Sequence, residues 1–404
     1  MKPHSLLAAC CAALLLMAAP ALAAGPKAWV GNFKDDSVSV IDTSAGRVVA
    51  TVPVAKGPDG IAVSRDDRQV FVSGSGASTL SVIDAASDRV VDTIEVGKGP
   101  QGLALTPDGR WLLVAVNGDD RVAIVDVASH AVAATVPVAK PHTITVRPDG
   151  LLAYVSSQAP GSFALAVIDL PARKLAASVP LEKTPRDLEF RPDGRTLDVT
   201  LAGVSAVQVF DTGTNQRVAE IPTGVSPHVA HQFPGMASGV VVVQGSGELM
   251  LFDPATQARS GGIAVGRQPH WVDALPGGGR LLVTNEGSDD VSLVDLAGGT
   301  AQSIAVGHAP RKVAVQHGGA AASSSKVSIE NFAFVPAQLV IHAGDTVIWT
   351  NNDGAPHGIA FGDGAAGQDL LLPGQSFSHV FAKAGVYDYA CSVHPYMTAR
   401  VTVQ

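Results

Sequence analysis

Short runs of alternating apolar and polar residues fill the chain from residue 28 to residue 315, and they return at a fixed interval. "VSVIDT" begins at Val38 and "LSVIDA" at Leu80, followed by "VAIVDV", "LAVIDL", "VQVFDT", "LMLFDP" and "VSLVDL". The aspartates in these runs are Asp42, Asp84, Asp126, Asp169, Asp211, Asp253 and Asp295, spaced 42 or 43 residues apart. A second marker keeps the same step: Pro58, Pro100, Pro141, Pro185, Pro227, Pro269 and Pro310. Each unit parses into four short strands. In the second unit these are "GIAVS", "QVFVSG", "LSVIDA" and "VVDTIEV", separated by the turn signals Arg-Asp-Asp, Ser-Gly and Ala-Ser-Asp. Four strands per period of this length is the spacing of a β-propeller, here with seven blades. The first segment, "AWVGN", reads as a second strand, and the last, "RKVAV" at Arg311–Val315, as a spare first strand. The two ends are therefore expected to complete one blade together and close the ring. The repeated aspartates are expected to cap turns.

The second strand of a unit reads "FVSG" at Phe71, "YVSS" at Tyr154 and "LVTN" at Leu282. These resemble the YVTN-type β-propeller family over residues 28–315. The resemblance implies the fold and leaves function open, because propellers serve both as enzymes and as docking scaffolds.

After Val315 the pattern stops. "QHGGAAASSSK" has no apolar periodicity and predicts a flexible linker over 316–325, with His317 facing solvent. From Lys326 the alternation resumes in "VSIENFAFVPAQLVIHAGDTVIWTNND" and "GQSFSHVFAKAGVYDYACSVHP", as in a small β-sandwich spanning 326–404. The fold class is thus all-β, a propeller followed by a Greek-key sandwich. A domain this short gains from a metal staple.

Composition agrees: 46% of residues are apolar and 16% charged, with 42 Gly and 26 Pro, which suits many short strands and tight turns. One Lys, an apolar run and Ala21-Leu22-Ala23 mark residues 1–23 as a signal peptide, implying export, to the periplasm in a Gram-negative source. No later segment is expected to span a membrane. The formal net charge is −8 without a Lys/Arg cluster, which argues against a nucleic-acid partner.

Cleavage would remove Cys10 and Cys11 and leave Cys391 alone, unable to form an internal disulfide. Cys391, His394 and Met397 recur at intervals of three, and His357 precedes a strand further back. Two imidazoles, a thiolate and a thioether are the donor set of a blue-copper electron-transfer centre. The segments "FVPAQLVIHAGDTVIWTNND", "PH", "AGVYDYACSVHPYM" and "ARVTV" resemble cupredoxins of the plastocyanin and amicyanin type. That resemblance implies that His357, Cys391, His394 and Met397 hold one type 1 copper and that a cytochrome or copper enzyme is the redox partner. It also places His394 beneath an exposed apolar patch to which Pro395 and Tyr396 contribute. One departure is Gly358, where the family often has Asn bracing the ligand loops.

The residues after the marker prolines are Asp59, Gln101, His142, Arg186, His228, His270 and Arg311. They are expected near the central channel. His142, His228 and His270, with His231 three residues further along, form a candidate second metal or substrate site. Asp187 and Glu189 offer carboxylate partners to Arg186. The architecture looks like nitrous oxide reductase, but that enzyme's binuclear entry site needs two cysteines. Three readings stay open: a one-electron carrier with a scaffold propeller, a two-site oxidoreductase, and a copper store.

Overall fold

The computed structural model describes residues 26–317, 324–341, 345–362, 367–381 and 385–403. The expected signal peptide, 1–23, lies outside them. Among the described residues, no helix is long and apolar enough to cross a membrane.

Seven four-stranded antiparallel sheets occupy residues 27–315. Every inner strand starts at a marker proline, from Pro58–Val63 round to Pro310–Val315. Successive inner strands touch in a closed cycle, the last meeting the first. Closure is made as expected: Pro310–Val315 pairs antiparallel with Lys27–Asn32 in the same sheet. Val, Leu and Ile on facing sheets pack into clusters between neighbouring blades, while the outermost strands, such as Arg89–Glu95, are mostly exposed.

The seven aspartates cap turns. Each accepts from a backbone N–H two or three residues on, as Asp42 does from Ser44 and Ala45, and Asp253 from Ala255 and Thr256. The residue four places after each aspartate has positive φ: Gly46, Asp88, His130, Arg173, Asn215, Gln257 and Gly299. Only two of these are glycine, so five turns hold a side chain in a left-handed conformation that disfavours it.

Each inner strand carries a register shift just after its proline, for example between Pro185 and Asp187 and between Pro269 and Trp271. A bulge re-aims the strand locally, and consecutive residues there can both reach the axis.

Two expectations around residue 316 need correction. Gln316 is no linker residue: its N–H donates to Lys27 O at 2.8 Å, and its side chain accepts from Lys27 N at 3.1 Å. His317 is exposed, as expected, and its backbone and ring nitrogens both meet Asp67 Oδ1. The sandwich also begins before Lys326, in the strand Ser324–Glu330.

That sandwich has a sheet of four strands, Ala333–Val335, Ser324–Glu330, Thr346–Asn351 and Ser376–Val380, and one of five: Gln338–Ile341, Thr398–Val403, Gly385–Ala390, His357–Phe361 and Gln368–Leu371. Between them lies an aromatic core in which Trp349 meets Phe361, Phe377, Phe381 and Tyr389. Ser378 Oγ donates to Asp149 O of the propeller at 3.2 Å.

Candidate metal centre

His357 begins one strand of the five-stranded sheet, and Cys391 follows the end of its neighbour, Gly385–Ala390. The loop after Cys391 is closed by two backbone bonds, Met397 N–H to His394 O at 2.9 Å and Cys391 N–H to Met397 O at 3.0 Å. It brings His394 and Met397 back over the cysteine. Cys391, His357 and Met397 are buried, and His394 is half-buried.

Cys391 Sγ lies 3.7 Å from His357 Nδ1 and 3.8 Å from His394 Nδ1. A first-row metal about 2.3 Å from sulfur and about 2.0 Å from nitrogen, at trigonal angles, needs sulfur–nitrogen separations of about 3.7 Å. The donors present therefore fit a three-coordinate plane, and a buried thiolate in it selects a soft or borderline metal such as copper. Among the described residues, this is the only group of three or more His, Cys, Asp or Glu whose ligand atoms lie within 4.8 Å of one another.

The surroundings orient these donors. The backbone N–H groups of Gly358 and His394 point at Sγ, at 3.4 and 3.3 Å. His357 Nε2 lies 3.0 Å from Asp353 Oδ2. A carboxylate only accepts, so Nε2 carries the proton and Nδ1 presents its lone pair to the site. Asp353 is held in turn by the N–H groups of Phe332 and Asn331, at 2.9 and 2.7 Å, and the Phe332 bond leads in keeping its carboxyl below the usual range. The Phe332 ring contacts both imidazoles, with centroids 5.4 and 5.1 Å away.

The departure at Gly358 has a steric cause. A Cβ there would collide with Ser392 Oγ and the Asp369 carbonyl. The Ser392 hydroxyl fills that space and donates to Asp369 O at 2.7 Å, bracing the cysteine loop from the opposite side.

The family model described as "Copper binding proteins, plastocyanin/azurin family" matches residues 321–404, and "YNCE-like beta-propeller" matches residues 16–106. Amicyanin-alpha of Methylorubrum extorquens is 34% identical over 90 residues, which is 21% of this chain and 76% of that protein. Plastocyanin of Scenedesmus fuscus is 38% identical over 84 residues, 18% of this chain and 86% of that protein. Through residues 321–404 the chain belongs to the plastocyanin/azurin family. Amicyanin of Paracoccus versutus is 36% identical over 83 residues, 19% of this chain; there, and in amicyanin of Paracoccus denitrificans, the chain spans 63% of the relative's length. Solved structures share the propeller fold alone. Hydrazine synthase of Kuenenia stuttgartiensis aligns with a TM-score of 0.63 at 18% identity, over 71% of this chain and 99% of that one. A functionally unknown protein from Desulfotomaculum acetoxidans aligns at 0.61 and 14% identity, over 72% and 99%.

Outside the plastocyanin/azurin domain, His142, His228 and His270 line one axial cavity of about 180 Å³ with Asp59, Arg186 and Arg311. The His228 and His270 rings lie 4.0 Å apart, and His270 Nδ1 donates to Arg311 O at 3.1 Å. These histidines do not gather their nitrogens as tightly as the Cys391 group does. His231 is not among the lining residues; it stacks on Phe233 with ring centroids 3.9 Å apart. Three residues along a strand turn a side chain to the opposite face. Burial lowers the pKa of all four imidazoles, His228 to about 3 and His231 to about 4, so they are neutral. Asp187 and Glu189 do not partner Arg186, which bonds Ser226 and Gln244. Trp271 and Lys312, which sequence reading missed, join the lining through the bulges.

Proposed function

We propose that this is an exported one-electron carrier with a single type 1 copper held by His357, Cys391 and His394, with Met397 as a weak axial fourth. The propeller serves as the scaffold on which a redox partner protein docks, and the periplasm is the compartment. The observation that carries this reading is the trigonal separation of one thiolate and two imidazole nitrogens in a buried pocket.

Copper bound there supplies a Cu(II)/Cu(I) couple. The chain's own residues keep the donors in place. Asp353 fixes the His357 tautomer, two backbone N–H groups point at the sulfur, and the aromatic core behind them resists rearrangement. Buried Met397 and the Phe332 ring shield the pocket from water.

The half-buried His394 is the route to the surface. Tyr396 is 71% exposed, and Val393 and Phe332 are also exposed nearby. An apolar rim around a half-buried ligand suits brief docking with a partner rather than tight capture.

Metal analysis with visible and electron paramagnetic resonance spectra of the copper-loaded chain tests this. One copper per chain and an intense blue band, both lost in Cys391→Ser, are expected. A copper-loaded chain without a blue band sinks the proposal. Several weakly held coppers would instead indicate storage.

A further inference from the structure

We propose that the axial cavity of the propeller binds a small anion presenting two oxygens, a short carboxylate or an inorganic oxyanion of that size, with Arg186 as its anchor. This goes beyond the copper reading and does not rest on it.

The guanidinium of Arg186 spends Nη1 on two neutral groups, Ser226 Oγ at 2.9 Å and Gln244 Oε1 at 2.8 Å. Among the described residues no carboxylate lies within ion-pair distance of it, and Nη2 and Nε have no hydrogen-bond partner. Burial holds its pKa below the usual value with no opposite charge to offset that effect. Two other arginines of the ring are paired with carboxylates. Arg191 is paired to Asp198 at 2.9 Å, and Arg311 in this same cavity is paired to Asp59 at 3.2 Å and Glu286 at 3.5 Å. Arg186 is half-buried and without a counter-charge, and an anion entering the cavity supplies the missing partner. The unused donors form a planar fork that matches two oxygens.

The rest of the lining agrees in sign. Lys312 adds a second cation, its Nζ 3.8 Å from the Trp271 ring centroid. Asp59, the one carboxylate in the lining, is already engaged by Arg311. Deeper in the ring, Asp187 and Glu189 are buried near Lys312, and buried Asp273 lies near Glu189. Burial raises Glu189 to about 8, so it is neutral at neutral pH and the group carries less than its formal charge. A divalent cation at the histidine level would face Arg186, Arg311 and Lys312, a repulsion the neutral imidazoles do not offset. Size selects further. About 180 Å³ is well below the ~300 Å³ at which pockets begin to hold drug-sized molecules.

Isothermal titration of the full-length, copper-loaded chain with sodium acetate and, separately, sodium nitrite tests this. Saturable binding of either salt at one site per chain is expected. Arg186→Gln should weaken it by at least about tenfold, while exposed His308→Ala leaves it unchanged. Acetate alone binding marks a carboxylate site, and nitrite alone an inorganic oxyanion site. No saturation at roughly tens of millimolar overturns the proposal. So does binding that survives Arg186→Gln, or zinc chloride titrating into a site that needs His142 and His228. If Arg186→Gln fails to fold by circular dichroism, Arg186→Lys serves the same comparison, because it keeps the charge and loses the fork. The visible copper band, read in the same samples, reports separately on the copper reading.

Discussion

Gly358 and Ser392 form a size pair: the hydroxyl of one occupies the space a side chain on the other would need. Gly358→Asn alone should therefore loosen the ligand loops and speed copper loss to a chelator. The double variant Gly358→Asn/Ser392→Ala should recover only part of the parent's retention, because it removes the clash with the hydroxyl and leaves the one with the Asp369 carbonyl. Equal copper loss in the single and double variants would show that the two positions do not compete. Asp353 acts on the same centre through charge. Its carboxylate makes the His357 imidazole a better donor and places negative charge beside the site, and both effects favour the more highly charged copper state. Asp353→Asn should raise the reduction potential, as read by film voltammetry, with the blue band retained. An unchanged or lower potential would contradict this.

Blade turns set the problem at the scale of elements. Each of the seven turns pairs an aspartate cap with a left-handed residue four places on, and five of those residues are not glycine. Gln257 is one, with φ of 60° in the turn capped by Asp253. Gln257→Gly removes a side-chain penalty of about 1 kcal/mol and returns part of it as chain entropy. A gain of roughly 0.5 kcal/mol in urea unfolding is expected, and a loss would mean that the Gln257 side chain makes a contribution of its own. The inner strands pose an electrostatic question. Burial, then Asp187, raise the Glu189 carboxyl to about 8, against an unfolded value near 4.5, with Lys312 and a Thr145 hydroxyl pulling the other way. The folded state thus holds the proton more tightly. Its contribution is fully present below pH 4.5 and is lost as pH rises through about 8. Glu189→Gln should flatten the fall in melting temperature between those limits; an unaltered slope would rule out Glu189 as its source.

For the whole molecule, closure and the metal act on different bodies. The ring is shut by Pro310–Val315 against Lys27–Asn32, with Val313 buried in that strand. Val313→Asp puts an unpaired charge there and should cost about 3 kcal/mol or more. Calorimetry should show the propeller transition fall in this variant while a copper-dependent transition stays put. Removing copper should do the reverse, since binding to the folded state alone stabilises only the domain that binds. A single transition moved by both changes would show that the two domains unfold as one.

Sequence alone determined the parts that repeat or lie close along the chain. The 42-residue period, the four strands per unit, the turn-capping aspartates and the Cys391–His394–Met397 loop were all legible, because strand alternation, turn chemistry and a short ligand loop are local. His231 was read into the channel site, although its odd spacing from His228 turns it to the opposite face, where it stacks on Phe233. Only the tertiary structure decided the rest. Gln316 and His317 read as linker until ring closure brought Lys27 and Asp67 beside them. Lys312 and Trp271 face the axis because bulges shift the strand, which alternation cannot show. Arg186 looked paired with its neighbours Asp187 and Glu189, yet it bonds residues 40 and 58 positions away. Which charges meet, and which one is left without a partner, depends on contacts between blades, and no local pattern encodes those.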